Sequence, residues 1–193
     1  MPWEKSFDED EVLGKAMAVF WEKGFEPASM ADLIAGTGIT RGSLYNAFGG
    51  KEQLFIKSLQ KYDRDNRGAL LAELEALDDP MRAIATMFEV IVSQTVADTR
   101  KKGCFLINTA SDLTASCDEV NSIVRNALRE LEAFFRRSVE AAQARRQVPA
   151  GLDPGATAKG LMSMIVAIRV LGRGTYDEAS LRTIATQALR LLD

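Results

Sequence analysis

Between Ser29 and Leu54 the chain reads SMADLIAGTGITRGSLYNAFGGKEQL, and no other stretch narrows its architecture as far. Ser29 is a helix-capping residue. Asp32, three positions on, completes the Ser-x-x-Asp spacing of a capping box and favours the positive helix end. Leu33 and Ile34 supply the apolar side of that helix. Gly36-Thr37-Gly38 breaks it, because glycine tolerates the left-handed backbone angles other residues avoid. Ile39 returns to the core, and Thr40 caps a second helix running to about Phe48. Gly49-Gly50 ends it, and Lys51 opens a third helix.

In the second helix Leu44 and Phe48 stand four apart and share the inward face. The opposite side carries Gly42, Ser43, Tyr45 and Asn46, with Arg41 in the first turn. Small residues there permit close approach, the hydroxyls and amide offer hydrogen bonds, and a guanidinium suits guanine acceptors in the major groove. Two helices joined by a glycine turn, the second polar outside, form the helix-turn-helix pattern. At the start of the next helix, the positive dipole end and the Lys51 ammonium can hold one phosphate.

Gly-x-Gly, then Ile-Thr-Arg-Gly-Ser-Leu-Tyr-Asn-Ala-Phe and Gly-Lys-Glu-x-Leu, resembles the DNA-binding domain of TetR/AcrR-family transcriptional regulators. The likeness spans Val12 to Leu59, with Tyr45, Phe48, Lys51, Glu52 and Leu54 falling in the family's Tyr-x-x-Phe-x-x-Lys-Glu-x-Leu pattern. It implies that Tyr45 and Lys51 clamp phosphates. It also implies a homodimer on double-stranded, pseudo-palindromic operator DNA and a small-molecule effector held by the middle helices. Ser29, Thr40, Arg41, Gly42, Ser43, Tyr45, Asn46 and Lys51 are thus the expected DNA-binding residues, Arg41 at base edges.

The net charge of −3 over 193 residues is a mild objection to nucleic-acid binding, since affinity follows the local positive footprint. Arg41, Lys51, Lys57 and Lys61 supply that footprint, and the acids of Asp8 to Glu11 complement the dipole of the first helix. The chain has no histidine, which removes Ser-His-Asp triads, Cys-His pairs and histidine-ligated zinc. No convergent acid, base and nucleophile appears, so the expectation is no enzyme, no metal and no cofactor. The acidic start lacks the apolar core of a secretory signal, and Gly160 to Ile168 is far short of the ~20 residues of a bilayer span. A cytoplasmic protein without a membrane partner is expected, its two cysteines reduced.

The remaining pattern is helical throughout: an all-α chain of about nine helices. Phe7 to Lys23 carries Val12, Ala16 and Phe20 on one stripe. A rod of some 25 residues starts at Lys51, with a charged slight break at Asp63 to Gly68, and would span ~37 Å. Pro80 occupies a first-turn position ahead of a helix to Asp98. A basic loop, Thr99 to Lys102, leads to a short helix ending around Thr114 to Cys117. Asp118 is the expected cap of a long helix to Arg146, and Val148 to Pro154 is a linker. Gly155 to Gly172 is apolar nearly all round, and a last helix begins at Asp177 or Ser180. Such surplus apolar surface calls for an interface, and a two-fold dimer is the expected one. Gly160, Met164, Ala167, Leu181, Ile184 and Ala188 are the expected interface residues. The division is 1–50, a helix-turn-helix DNA-binding domain, and 51–193, a helical ligand-binding and dimerisation domain.

For the effector pocket the implied lining is Phe88, Ile91, Phe105, Asn108 and Met162, residues equally suited to plain core except Asn108, whose amide needs a partner. Cys104 follows Arg100, Lys101 and Lys102, a setting that can activate a thiol; with Cys117, it keeps a redox-switched regulator of the same fold open. The expected function is a ligand-responsive repressor, with an activator or a helical adaptor that does not bind DNA as alternatives.

Overall fold

The structure, a computed structural model, describes residues 7–112 and 117–193. Within them all regular structure is helical. The first three helices are α1 (Glu9–Lys23), α2 (Met30–Thr37) and α3 (Arg41–Phe48). Next, α4 (Lys51–Tyr62) and α5 (Ala69–Glu75) form one rod through a π-helical turn, Asp63–Gly68, where the charge-rich break was expected. Then follow α6 (Pro80–Ala97), α7 (Phe105–Ser111), α8 (Asp118–Ala144), α9 (Pro154–Leu171) and α10 (Glu178–Leu189), the last continuing into a short 3₁₀ turn. With α4 and α5 counted as one rod, the described residues hold nine helices.

Local chemistry sets these boundaries. Asp8, Asp79, Asp153 and Asp177 each accept backbone N–H bonds at a helix start, satisfying donors the helix cannot pair. Several ends differ from expectation: α1 begins at Glu9 rather than Phe7, and α8 ends at Ala144 rather than Arg146. The cap of α8 is Cys117, with no side-chain bond, and Asp118 is the first helical residue. Helix α7 stops at Ser111; its expected end near Thr114 lies outside the described residues. Inside the π turn, Arg67 pairs with Asp63 and reaches Glu130 on α8 at 2.8 Å. Burial works against its charge, but these two carboxylates raise its pKa on balance.

Two apolar cores result. One joins Phe20, Leu33, Leu44, Phe48, Leu54 and Phe55 of the first four helices to Phe105 and Leu106 of α7 and Val120 and Val124 of α8. The first three helices therefore share a packed interior with α4, α7 and α8. The second core gathers Phe88, Phe134, Phe135, Leu161, Ile165 and Leu181. Helix α9 spans 18 residues, within one position of the expected Gly155 to Gly172, and with a mean hydropathy of 1.2 it is long and apolar enough, by length and composition alone, to cross a membrane. Here it packs against α8, α10 and α6, burying Leu161, Ile165 and Ile168.

Candidate nucleic-acid interface and a neighbouring cavity

The capping box of α2 is complete. The Asp32 backbone N–H donates to Ser29 Oγ at 3.1 Å, and the Ser29 backbone N–H donates to the Asp32 carboxylate at 2.9 Å. The Lys23 ammonium at 2.5 Å, followed by the Ser29 hydroxyl and N–H, holds the Asp32 carboxyl well below the usual carboxylate range. Helix α2 ends at Gly38, φ +75°, whose N–H returns to the Ile34 carbonyl at 3.0 Å. That left-handed residue turns the chain sharply into α3.

On α3, Leu44 and Phe48 are buried while Arg41, Gly42, Tyr45 and Asn46 are exposed. Thr40 Oγ1 accepts from the Ser43 N–H at 3.2 Å and donates to Ser43 Oγ at 3.0 Å. These two hydroxyls first serve the cap. Tyr45 is 44% exposed. It lies against Gly50, where an added Cβ would meet Tyr45 Cε1 at 3.4 Å. The Arg41 guanidinium stands 5.7 Å from the Tyr45 ring centroid. Arginine, tyrosine and asparagine thus share one outward face.

Lys51 is half-buried at the start of α4. Its ammonium donates to the Glu26 carbonyl at 3.2 Å and lies 4.5 Å from the Phe25 centroid. The expected footprint is smaller than the sequence suggests, because Lys61 is tied to Asp10 at 2.7 Å and Asp65 at 2.8 Å. Both carboxylates raise the Lys61 pKa. Lys57 lies 5.3 Å from the Phe48 centroid. The Lys61–Asp65 pair is an i,i+4 contact that local sequence could signal, whereas Asp10 and Glu26, the partners of Lys61 and Lys51, are distant along the chain.

The five expected pocket residues do not converge. Phe88 and Ile91 are buried in the second core and Met162 packs on it. Phe105 and Asn108 instead line a cavity of about 550 Å³, walled by the end of α1, the α1–α2 loop, α4, α7 and the end of α9. Asn108 finds partners at both ends of its amide: it donates to the Lys102 carbonyl at 2.7 Å and accepts from Arg173 at 3.3 Å. Cys104 caps α7 and receives the Tyr62 hydroxyl at 3.6 Å. Burial, then the Cys104 neighbour, pushes the Tyr62 pKa up. Both cysteines are free thiols.

Of the six expected interface residues, Leu181 and Ala188 are buried within the chain's own core. Gly160 faces Leu191, where an added Cβ would come within 3.0 Å of Leu191 Cδ1. Met164, Ala167 and Ile184 remain partly exposed.

Residues 12–57 match the family model of bacterial regulatory proteins, tetR family, and residues 80–188 match that of the tetracyclin repressor-like C-terminal domain. The chain is 30% identical to the HTH-type transcriptional repressor ComR of Escherichia coli (strain K12), over 97% of this chain and 90% of ComR. It is 29% identical to the HTH-type transcriptional regulator YezE of Bacillus subtilis (strain 168), over 98% of each. Among solved structures it resembles a cysteine mutant of the regulator CifR complexed with 26-bp operator DNA. The TM-score is 0.85 at 26% identity, covering 97% of this chain and 98% of CifR.

Proposed function

We propose, from the premise that the chain belongs to the TetR family of bacterial regulatory proteins, that it is a repressor released from its operator by a small-molecule effector. It is a DNA-binding transcriptional regulator and not an enzyme. The observation that carries the DNA-reading role is the outward face of α3, where Arg41, Tyr45 and Asn46 stand exposed over buried Leu44 and Phe48. An α-helix so furnished fits the major groove, with Arg41 at base edges and Tyr45 and Lys51 on phosphates. Gly42 allows close approach, while Ser29, Thr40 and Ser43 combine capping with backbone contact.

Residues 1–50 act as the reading unit and residues 51–193 as the ligand-binding and dimerisation unit, with the α4–α5 rod between them. The partly exposed positions of α9 and α10, Met164, Ala167 and Ile184, support a two-fold interface. Such a dimer presents two copies of α3 to half-sites about one DNA turn, ~34–36 Å, apart. Effector binding then shifts the population toward subunits spaced wrongly for successive grooves. A cytoplasmic location belongs to the same proposal, since operator DNA is its target.

Selection from a random-sequence DNA library tests this reading. The expected product is a pseudo-palindrome with half-site centres about one helical turn apart. Enrichment of no sequence, or of a single half-site only, would remove the dimeric-repressor reading.

A further inference from the structure

Arg41 and Tyr45 stand four apart on α3, the spacing that brings two side chains together on one helical face. Side chains on a helix lean toward its N-terminus, so the Tyr45 ring covers the turn that holds Arg41. The guanidinium carbon of Arg41 lies over that ring, 5.7 Å from its centroid. A guanidinium within ~6 Å of a ring centroid is attracted by the ring quadrupole, and its planar fork stacks on aromatic faces. Both residues are exposed, while Leu44 and Phe48 anchor the helix inward.

The ring is itself held. Gly49, φ +81°, returns its N–H to the Tyr45 carbonyl at 2.9 Å, and Gly50 follows at φ +131°. Gly50 is buried, and the place a Cβ would take on it lies 3.4 Å from Tyr45 Cε1 and 3.8 Å from Cδ1. One edge of the ring thus rests on bare backbone, and a chain of contacts runs from Gly50 through Tyr45 to Arg41. Both contacts use the ring and neither uses the hydroxyl.

An exposed arginine has many rotamers, and a two-pronged contact with a guanine edge needs one of them. Holding the fork before contact removes part of that ordering cost. A phosphate contact carries no sequence information, so the gain shows in base discrimination rather than in general affinity.

We propose that Tyr45 is a positioning residue for sequence discrimination: its ring, seated on Gly50, sets the Arg41 guanidinium for one base edge. This role is separate from a phosphate contact of the Tyr45 hydroxyl. It rests on the reading of α3 as the DNA-reading helix, whereas the contact between ring and guanidinium does not.

Two substitutions separate ring from hydroxyl. Tyr45→Phe removes the hydroxyl alone, and Tyr45→Leu removes the ring while keeping a strong helix former at the position. The readout is a ratio of the full chain's affinities for two DNAs. One is its selected operator, and the other is changed at the base pair that Arg41→Ala no longer distinguishes. Tyr45→Phe should keep the ratio. Tyr45→Leu should lower it about two- to fivefold, the size of an exposed cation–π contact, at that base pair alone. Added to Arg41→Ala, Tyr45→Leu should lower it no further. In the free protein, NMR should find the Arg41 side-chain protons displaced by the ring in wild type and Tyr45→Phe, and at ordinary positions in Tyr45→Leu. An unchanged ratio in Tyr45→Leu, an equal loss at every base pair, or Arg41 resonances indifferent to the leucine would overturn the proposal. So would an Arg41→Ala protein that still distinguishes every base pair. Ring-displaced Arg41 resonances in a protein that prefers no DNA sequence would contradict the regulator reading and leave the contact standing, so the two failures stay distinct.

Discussion

The Lys51 ammonium donates to the carbonyl oxygen of Glu26 at 3.2 Å, across 25 positions of sequence. It fastens the first residue of α4 to the loop between α1 and α2, with the Phe25 ring 4.5 Å away as a second hold. The cation proposed to meet a phosphate is therefore already positioned in the free protein. Replacing Lys51 with Met keeps the aliphatic stem and removes the charge. Operator and random DNA should lose affinity by similar factors, and the slope of log K against log salt should shrink by about 1 per subunit. A change confined to one operator base would assign Lys51 a base-reading role instead.

Gly36 sits where α2 crosses α1, and a Cβ there would come within 2.4 Å of Val19 Cγ2. Valine is short and stiff at χ1, so it cannot swing aside. Gly36→Ala should destabilise the fold by about 1–3 kcal/mol, the usual range for overpacking. Adding Val19→Ala should restore much of that loss. Urea melts of the four proteins in the cycle decide it, and strictly additive effects would show that the two residues do not meet.

The lowered pKa of Asp32 makes a pH-dependent contribution to stability. Its folded value lies below the unfolded carboxylate value, near ~4, so folding favours the ionised form. The contribution is fully present above about pH 4 and fades as pH falls toward the folded value. Asp32→Asn should flatten the acid limb of stability against pH while leaving its neutral shape alone. Ser29→Ala removes the other half of the box and should cost about 0.5–2 kcal/mol. An Asp32→Asn protein with an unchanged acid limb would show that the pairing with Lys23 does not persist in solution.

Two substitutions on the last helices should separate association from folding. Ala167 is partly exposed on α9, whereas Leu181 is 2% exposed within the chain's own core. Ala167→Glu should give a folded monomer by sedimentation, with operator affinity lost. Leu181→Ala should cost about 2–5 kcal/mol of stability through the cavity it leaves. A dimeric Ala167→Glu protein would move the interface elsewhere.

What the sequence made legible was mostly local. The capping box at Ser29 and Asp32, the turn at Gly38, the proline start of α6 and the charged irregularity at Asp63 to Gly68 all follow from residues within a few positions of one another. Helical periodicity likewise marked Leu44 and Phe48 as buried and left Arg41, Tyr45 and Asn46 outside. The remainder depends on which helix lies beside which. Phe105 and Asn108 reach a cavity with Glu22 and Phe25, about 80 residues earlier in the chain, while Phe88 and Met162 join another core. Leu181 and Ala188 share a stripe with Ile184, yet the packing of α10 on α9 and α6 turns those two inward. Lys61 has the look of a phosphate contact until Asp10, 51 positions away, is seen to hold it.

The central claim is that α3 reads DNA through Arg41. Fluorescence anisotropy of the purified protein on its own upstream DNA, titrated with salt beside Arg41→Ala and Tyr45→Phe, tests it most directly. The account predicts tight, salt-sensitive and sequence-selective binding. Arg41→Ala should lose about 1–3 kcal/mol of discrimination at one base position, and Tyr45→Phe should lose affinity without losing selectivity. Wild-type binding no tighter to any selected sequence than to random DNA, or an Arg41→Ala protein with undiminished selectivity, would contradict it.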